Sequence, residues 1–268
     1  MKNTVSIALM LCLLGAATLV ADVARLRLAT TTSTENSGLL SVLIPPFERF
    51  TELTVDVIAV GTGKALALGQ NGDVDLVLVH ARKAEDAFVA AGYGVNRRGV
   101  MRNDFVILGP VQDPAGIRGI QDAAEALKHI ASRQTSFVSR GDNSGTHQKE
   151  RELWTAARVT PRGTWYKEAG QGMGAVITIA HNMQAYTLAD RGTYLAMRRT
   201  MALEVLVQGD SRLFNPYGVI AVNPYRHPHV NYDGAMRFIA WLTSPEGQRT
   251  IGDFMMEGQV LFIPDTSQ

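Results

Sequence analysis

Hydrophobic positions along the chain alternate between the spacing of buried strands and the spacing of helices that pack on one face. Residues 26–30 predict a first strand, and the apolar positions that follow Ser37 and Gly38 predict a first helix. Residues 55–60 and 75–79 predict two further buried strands, separated by a turn and a short helix of small residues. We therefore expect a βαβαβ unit of parallel strands, whose polar loops meet at the carboxyl ends of the strands.

A second series of the same signals begins with the apolar stretch 104–110. Helix and strand patterns again follow one another, bounded by polar loops and by residues that break regular structure. The predicted elements are a helix over 120–132, a strand over 136–138, helices over 148–157 and 175–186, a strand over 217–222, and helices over 232–242 and from Ser244 onward. This series predicts a second lobe of the same α/β class.

The two series are joined without a repeat, a low-complexity run or a long flexible linker. The chain is therefore expected to cross between two lobes more than once, near 105–110 and 213–220. We expect lobe 1 to contain residues 25–107 and 215–268, and lobe 2 to contain residues 108–214.

The first residues predict an export signal, residues 1–21, with a cleavage point that could lie as late as residue 24. Lys2 precedes an apolar stretch that is short for a membrane-spanning helix, so release into the periplasm is favoured over an anchor. Cys12 is the only cysteine of the chain and lies within this segment. The exported protein would then lack disulfides, cysteine nucleophiles and thiolate metal sites.

Composition and charge narrow the class of ligand. The 268 residues include 26 Lys and Arg against 25 Asp and Glu, which gives a formal net charge of +1. Such a balance does not favour binding to nucleic acid or to an anionic membrane. A hydrophobic share of 46% is that of a globular protein and excludes a disordered chain. Any charged ligand must therefore be held by local groups.

Two uncharged loops follow the first two predicted strands. Residues 30–34 supply five hydroxyl groups before a helix start, which suits an oxyanion but is also explained by a simple helix cap. Residues 61–64 read Gly-Thr-Gly-Lys and form a predicted turn before a helix over 64–69. They lack the spacing of a nucleotide-binding phosphate loop, and a tight turn alone would explain both glycines.

The loop over 139–147 carries the most chemical information. Arg140 supplies a guanidinium, Asp142 can hold it, and hydroxyls and glycines precede a predicted helix. These groups would form a nest for an anion, because a buried dianion needs many fixed donors. The alternative is a capped loop with an Arg–Asp pair at the surface.

Together these motifs resemble those of the periplasmic tungstate-binding proteins of ABC transporters. The motifs are TTTST at 30–34, SGLL at 37–40, VGTG at 60–63, GDVDLVLVHA at 72–81, SRGDNSGTH at 139–147 and YTLADRGTY at 186–194. The resemblance covers the chain beyond its leader. It implies an α/β, two-lobed periplasmic binding protein fold of the class II type, with the ligand cleft between the lobes. It also implies a tetrahedral oxyanion ligand, tungstate or molybdate, a permease partner in the membrane, and a monomer without nucleic acid, resident metal or cofactor.

The resemblance also transfers roles to particular positions. Arg140 would be the main charge contact, with Asp142 orienting it rather than touching the anion. His80 and Thr187 are weaker candidates, because residues 186–194 could simply pack the second lobe. The residues implied to bind the ligand are Thr31, Thr32, Ser33, Thr62, Gly63, Arg140, Ser144, Gly145 and Thr146.

A phosphate- or sulfate-binding protein of the same fold is the nearest alternative. Its Arg-x-Asp-x-Ser-Gly-Thr loop is shared, but a phosphate site also needs a carboxylate acceptor near the end of the third strand. His80 stands there, and as a donor it would suit a fully ionised anion. A histidine that only hydrogen-bonds at the strand end is the other interpretation. Tungstate and molybdate remain undistinguished, because the two anions share charge and geometry.

An enzyme is the third possibility. Ser144 and His147 are close in sequence, but the Gly-x-Ser-x-Gly elbow of a hydrolase is absent and His147 is expected on the following helix. His227 and His229 flank a proline in a predicted surface turn without the acidic partners of a zinc site. The sequence therefore favours capture of a ligand over chemistry on it.

Overall fold

The structure, a computed structural model, describes residues 24–265. Its strands are β1 (Arg25–Thr31), β2 (Thr54–Val60), β3 (Leu76–Val79), β4 (Gly94–Pro110), β5 (Phe137–Ser139), β6 (Tyr166–Glu168), β7 (Thr187–Asp190), β8 (Leu203–Val207), β9 (Phe214–Val222), β10 (Met255–Met256), β11 (Gln259–Val260) and β12 (Ile263–Pro264). Its α-helices are α1 (Thr32–Asn36), α2 (Leu39–Thr51), α3 (Thr62–Asn71), α4 (Arg82–Ala90), α5 (Ala123–Arg133), α6 (Gly145–Ala156), α7 (Met173–Met183), α8 (Arg191–Met197), α9 (Tyr232–Leu242) and α10 (Pro245–Gly252).

One group of strands follows the order β2-β1-β3-β9-β4-β12. β1 lies between β2 and β3 and is parallel to both, as the βαβαβ pattern predicts. β9 returns from late in the chain and pairs antiparallel with β3 on one side and β4 on the other. The parallel strands aim their carboxyl ends at one edge, where the helices that follow them begin.

The last residues of β4 pair with a second group of strands. Its pairing with β9 ends at Asp104 opposite Phe214, and its pairing with β7 begins at Phe105 opposite Asp190. β8 pairs with β4 beyond this point, and β5 pairs in parallel with β6. A single long strand therefore runs through both halves of the molecule.

The buried apolar side chains fall into four clusters that respect this division. Two clusters draw on residues 26–101 and 217–262, joined by Leu195 of α8, and the other two lie within 105–213. We propose that these cores mark the first and second lobes, with the second lobe starting at Phe105 rather than at residue 108. β4 and the segment that leads into β9 would then be the two crossings.

The structure differs from the sequence prediction at several elements. α7 ends at Met183 and is followed by β7, whereas the pattern predicted helix up to 186. The helix stops because Gln184 adopts a left-handed backbone with φ of 49°, and glutamine gives no sequence signal for such a stop. Gly61 is the cap of α3, so Thr62 and Gly63 lie in the first helical turn and not in a turn before it. α4, β7 and β8 were not predicted.

The predicted signal peptide, residues 1–21, and Cys12 within it lie outside the described residues. Across residues 24–265, none of the helices combines the length and apolar character that crossing a membrane requires.

Candidate functional site

A cleft with a volume of about 920 Å³ opens at the carboxyl ends of β1, β2 and β3 and faces the second lobe. Its walls contain all nine residues that the resemblance implies as ligand-binding, together with His80 and Asp142. Residues separated by more than a hundred positions along the chain, such as Thr31 and Arg140, therefore line one cavity.

The hydroxyl loop at the end of β1 forms its own hydrogen-bond cluster. Thr31 is the cap of α1, and its Oγ1 accepts from the Thr34 backbone N–H at 3.2 Å. The same oxygen lies 3.1 Å from Ser33 Oγ and 2.7 Å from Thr34 Oγ1. Thr34 is fully buried, whereas Thr32 is exposed and Ser33 half-buried on the cleft wall. The loop is thus both a helix cap and a set of donors at the cleft.

The start of α3 presents bare backbone amides to the cleft. Gly61 caps the helix without a side chain, and Ala65 is the first residue whose N–H bonds back to it, at 2.9 Å. The N–H groups of Thr62, Gly63 and Lys64 therefore have no partner within the helix. A Cβ placed on Gly61 or Gly63 would meet nothing within 4 Å, so this helix start is open to a ligand.

The arginine loop comes from residues 105–213, the part of the chain that we propose as the second lobe. Arg140 donates from Nε at 3.1 Å and from Nη2 at 2.5 Å to Oδ2 of Asp142. Oδ1 of Asp142 accepts from the Ser144 backbone N–H at 3.1 Å. Burial opposes ionisation of Asp142, but the bonds from Ser144 and Arg140 outweigh it and hold the pKa of that carboxyl below its ordinary value. Asp142 therefore stays charged and fixes the guanidinium, the orienting role implied for it.

Two backbone features shape that loop. Gly141 has φ of 62°, and a Cβ there would lie 2.7 Å from the side chain of Glu168, so only glycine fits. Ser144 caps α6, and its Oγ accepts from the His147 backbone N–H at 3.3 Å. The His147 ring points elsewhere, because its Nδ1 accepts from the Asn143 N–H at 3.0 Å. Ser144 and His147 are therefore a cap and a loop support, not a nucleophile and its base.

The sequence analysis missed a further helix start in the cleft, that of α7. Gly172 caps α7 without a side chain, and Met173, Gly174 and Ala175 line the cavity beside it. Val176 is the first residue whose N–H bonds back to the cap, at 3.1 Å. The only signal in the sequence is a glycine-rich segment before an apolar helix, because the donors are backbone groups that no side chain reveals.

The charges of the side chains that line the cleft sum to zero. Lys64 and Arg140 are positive, and Asp142 and Asp190 are negative. Asp190 caps α8, and its Oδ1 accepts from the backbone N–H of Thr193 at 2.8 Å. Since these charges cancel in sum, the helix N-termini supply much of the positive potential that an anion would meet.

His80 sits at the end of β3, half-buried behind the hydroxyl loop. Its Nδ1 lies 3.1 Å from Oδ1 of Asn215, and its Nε2 lies 3.2 Å from Thr31 Oγ1 and 3.3 Å from Ser33 Oγ. Burial lowers the pKa of the ring, against the bond to Asn215 and the charge of Asp190, so the ring is neutral near pH 7. The sequence analysis left His80 either as a donor to the anion or as a ring that only hydrogen-bonds at the strand end. Here the Asn215 amide oxygen takes the Nδ1 hydrogen and leaves Nε2 as an acceptor.

Thr187 does not belong to the cleft. It is buried, and its Oγ1 donates to the backbone oxygen of Val138 at 2.7 Å. The structure therefore favours the packing role that the sequence analysis left open for Thr187, because the hydroxyl holds β7 against β5.

The two histidines around Pro228 face a helix end. Nε2 of His227 lies 3.0 Å from the Gln70 oxygen and Nε2 of His229 lies 2.9 Å from the Gly72 oxygen, at the carboxyl end of α3. Over residues 24–265, no three or more His, Cys, Asp or Glu side chains are grouped as a metal site would require.

Comparison with known proteins agrees with this geometry. Residues 18–246 match a family profile described as a PBP superfamily domain. The tungstate-binding protein TupA of Peptoclostridium acidaminophilum is 48% identical over 245 residues, which cover 90% of this chain and 86% of that protein. These relatives confirm a binding protein rather than an enzyme.

Two solved structures are also similar. The tungstate ABC transporter structure from Geobacter sulfurreducens is 60% identical with a TM-score of 0.79, and the match covers 86% of this chain and 98% of that one. The tungstate-binding protein TupA from Desulfovibrio alaskensis G20 is 48% identical with a TM-score of 0.84, over 90% of this chain and 99% of that one. These matches confirm the mixed α/β binding-protein fold. The chain therefore belongs to the PBP superfamily, in the family that contains these tungstate-binding proteins.

Proposed function

We propose that this chain is the solute-binding component of an ABC transporter and captures tungstate in the cleft. One observation carries the proposal: α3 and α7, from the two proposed lobes, begin at glycine caps without a side-chain acceptor, and both starts open into the same cavity. Unpartnered N–H groups at a helix start are donors for an anion. Arg140 and the hydroxyl loop add further donors around the same space.

The proposed contacts divide between the lobes. Thr31, Thr32, Ser33, Thr62 and Gly63 would donate from the first lobe. Arg140, Ser144, Gly145 and Thr146 would donate from the second lobe, joined by the start of α7. A ligand held on one lobe would select the closed arrangement because the other lobe adds its donors only there.

The donor set favours an anion that carries no hydrogen of its own. The carboxylates that line the cleft already accept hydrogen bonds, Asp142 from Arg140 and Ser144 and Asp190 from Thr193. Hydrogen phosphate would bring an O–H that needs an acceptor, whereas tungstate, molybdate and sulfate would not. Sulfate is the smaller tetrahedron, so a site fitted to the longer bonds of tungstate would bind it more weakly.

Release of the anion to a membrane permease, and a periplasmic location after export, complete the proposal. Both follow from the function that the relatives' names describe and from the predicted leader, residues 1–21.

Calorimetric titration of purified, ligand-stripped protein with tungstate, molybdate, sulfate and phosphate tests the proposal. We expect tight binding of tungstate, with sulfate and phosphate weaker by orders of magnitude. A preference for phosphate would favour the alternative function, a phosphate-binding protein of the same fold. Binding of none of the four anions would contradict oxyanion capture altogether.

Arg140→Ala tests the proposed charge contact in the same titration. Truncation of a charged partner in a desolvated site costs about 2–5 kcal/mol, so we expect at least about thirtyfold weaker binding. Arg249→Ala, which removes an exposed arginine of α10, is the matched control and should bind like the unchanged protein. Equal affinity of both variants would remove Arg140 from the site.

A further inference from the structure

His80 is a half-buried titratable group of the cleft to which the proposed function gives no role. The orientation of its ring follows from a chain of amide contacts. Nδ2 of Asn215 donates to Oδ1 of Asn103 at 2.8 Å, which turns Oδ1 of Asn215 toward Nδ1 of His80 at 3.1 Å. An amide oxygen can only accept, so the hydrogen of the neutral ring is on Nδ1.

The other ring nitrogen, Nε2, then carries a lone pair aimed at the hydroxyl loop. Thr31 Oγ1 and Ser33 Oγ lie 3.2 Å and 3.3 Å from it. One of these hydroxyls donates its hydrogen to Nε2. A hydroxyl has a single hydrogen, so that group presents only oxygen lone pairs to the cleft. With His80 neutral, the loop offers a dianion one hydrogen-bond donor fewer than its number of hydroxyl groups implies.

Protonation of His80 reverses this arrangement. Nε2–H would then donate to a hydroxyl oxygen, the hydroxyl hydrogen that Nε2 had accepted would be free to turn toward the cleft, and a positive charge would stand directly behind it. A bound dianion would favour that charged form through the same contacts.

Charged and titratable groups surround the ring on several elements. Asp190 at the end of β7 favours the charged ring, and the Tyr217 ring of β9 packs against it with centroids 4.7 Å apart. Burial raises the pKa of Tyr217, so that phenol stays neutral. The positive start of α6 disfavours the charged ring, since a Cβ on Gly145 would lie 3.9 Å from His80 Cε1. The other charged groups that line the cleft are Lys64, Arg140 and Asp142.

We propose that capture of the dianion is coupled to uptake of a proton by His80, and that this coupling selects fully deprotonated oxyanions. The inference rests on the proposed function and deepens it. Protonation of the ring puts a hydroxyl hydrogen where the neutral ring leaves a lone pair facing the cleft, so the O–H of a protonated anion would meet a donor at that position. A fully deprotonated anion would instead gain a hydrogen bond and a charge pair.

The coupling has a definite sign. Burial lowers the pKa of His80 in the ligand-free protein, and the dianion would raise it. Affinity should therefore be highest below the lower of these two pKa values and should fall as the pH rises through the interval between them. Uptake of a single proton sets an upper limit of about tenfold in affinity per pH unit.

Titration calorimetry on the unchanged protein measures the proton directly. Tungstate is titrated at about pH 7.5 in two buffers of different ionisation enthalpy, and the affinity is then followed from about pH 6.5 to about pH 8.5, a range that centres on histidine chemistry. We expect net proton uptake on binding and weaker affinity at the higher pH. Tight tungstate binding without proton uptake would overturn this inference and leave the proposed function standing. No tungstate binding would overturn both.

Two variants test whether His80 is the group that takes up the proton. His80→Gln keeps a neutral polar group at the strand end and should abolish both the uptake and the pH dependence. His129→Gln makes the same change on the exposed face of α5 and should leave both unchanged. Proton uptake of equal size in His80→Gln would place the proton elsewhere and contradict the assignment.

Nitrogen NMR of the histidine rings gives a second measurement that requires no variant to fold. We expect the His80 signals to show hydrogen on Nδ1 alone in the free protein and on both nitrogens with tungstate bound. Hydrogen on Nε2 in the free protein, or no change on binding, would refute the proposed coupling of anion capture to proton uptake by His80.

Discussion

The guanidinium of Arg140 is held by a carboxylate that itself faces the cleft. Asp142 has two opposed effects on a bound dianion, because its charge repels the anion while its bonds fix the arginine. A hydrogen bond between charged groups contributes about 1.5–3 kcal/mol, whereas a charge repulsion in a solvated cleft is nearer about 1 kcal/mol. Orientation should therefore outweigh repulsion.

Asp142→Asn measures that balance. The amide oxygen can still accept from the Ser144 N–H, so the loop should fold, but Arg140 loses its charged partner. We expect tungstate affinity to fall about tenfold, less than in Arg140→Ala, by titration calorimetry. Tighter binding in Asp142→Asn would show that the carboxylate acts mainly as a repelling charge.

The candidate site was predictable where side chains carry the chemistry. The hydroxyl loop and the arginine loop stand out in the sequence because hydroxyls and a guanidinium can be read from residue types. The start of α7 could not be read, because its donors are backbone N–H groups. The role of Thr187 stayed open in the sequence because its partner, the Val138 oxygen, is distant along the chain.

At the scale of elements, α3 and α7 keep their first N–H groups free by beginning at glycine. A side-chain cap would stabilise either helix and would occupy the donors that an anion needs. The backbone of Gly61, with φ of −70° and ψ of 151°, is open to any residue, so glycine is not required there for conformation. Its use fits a helix start reserved for a ligand.

Gly61→Asp tests this by placing a side-chain cap where the anion is proposed to bind. The carboxylate would accept from the free N–H groups of α3 and stabilise the ligand-free protein by up to about 1 kcal/mol. We expect a higher melting temperature without ligand and a large loss of tungstate affinity. Gly61→Ala, which supplies neither acceptor nor charge, should keep near-normal affinity. Full tungstate affinity in Gly61→Asp would remove the start of α3 from the site.

Glu150 joins α6 to β6. It is buried, and its Oε1 accepts from Trp154 Nε1 at 3.1 Å and from Tyr166 Oη at 2.8 Å. Burial raises the pKa of this carboxyl, although bonds from Tyr166 and Trp154 oppose the shift. A raised carboxyl pKa means that folding disfavours the charged form. The resulting destabilisation is absent below the ordinary pKa and grows as the pH rises through the pKa of the folded protein.

Glu150→Gln should therefore stabilise the protein at high pH and have little effect at low pH. Its single carbonyl oxygen can accept both donors, so the variant should be more stable than the unchanged protein above neutrality. Thermal unfolding at about pH 5 and about pH 8 checks this sign. Glu150→Ala leaves both donors unpaired and should destabilise at either pH by about 1–3 kcal/mol. Identical pH profiles for Glu150→Gln and the unchanged protein would contradict a raised pKa.

The fold was predictable where periodicity is local. The parallel unit β1-α2-β2-α3-β3 follows from hydrophobic spacing over neighbouring residues, and the structure shows it. β7 and β8 were missed because they are short and their pairing with β4 is set by contacts distant in sequence. The polar first half of β4, which contains Arg97 and Arg98, likewise becomes a strand only because β9 pairs with it.

At the scale of the whole molecule, the two proposed lobes touch across the cleft. Lys83 on α4 bonds Glu152 on α6 at 3.1 Å, and Lys149 approaches the other oxygen of the same carboxylate at 3.1 Å. Lys83 is 91% exposed, so this ion pair contributes about 1 kcal/mol at most and is sensitive to salt. It is positioned to favour the closed arrangement slightly.

Glu152→Gln should weaken tungstate binding by up to about fivefold at low ionic strength and leave it unchanged at high salt. Glu125→Gln removes the same charge from an ion pair within α5 and should not affect binding at either salt concentration. Titration at two salt concentrations separates the variants. Equal affinity of both variants at low salt would show that the Lys83–Glu152 pair does not contribute to closure.

The position of β9 between β3 and β4 bears on how the protein is made. A ribosome completes β3 and β4 long before β9, so the strand that must lie between them is synthesised after both. The core of the first lobe, which also includes Phe238, Leu261 and Phe262, cannot close on a nascent chain that ends before these residues. The proposed first lobe would therefore stay unfolded until Phe262 has been synthesised, and an unfolded chain is the form that a translocation pore can thread.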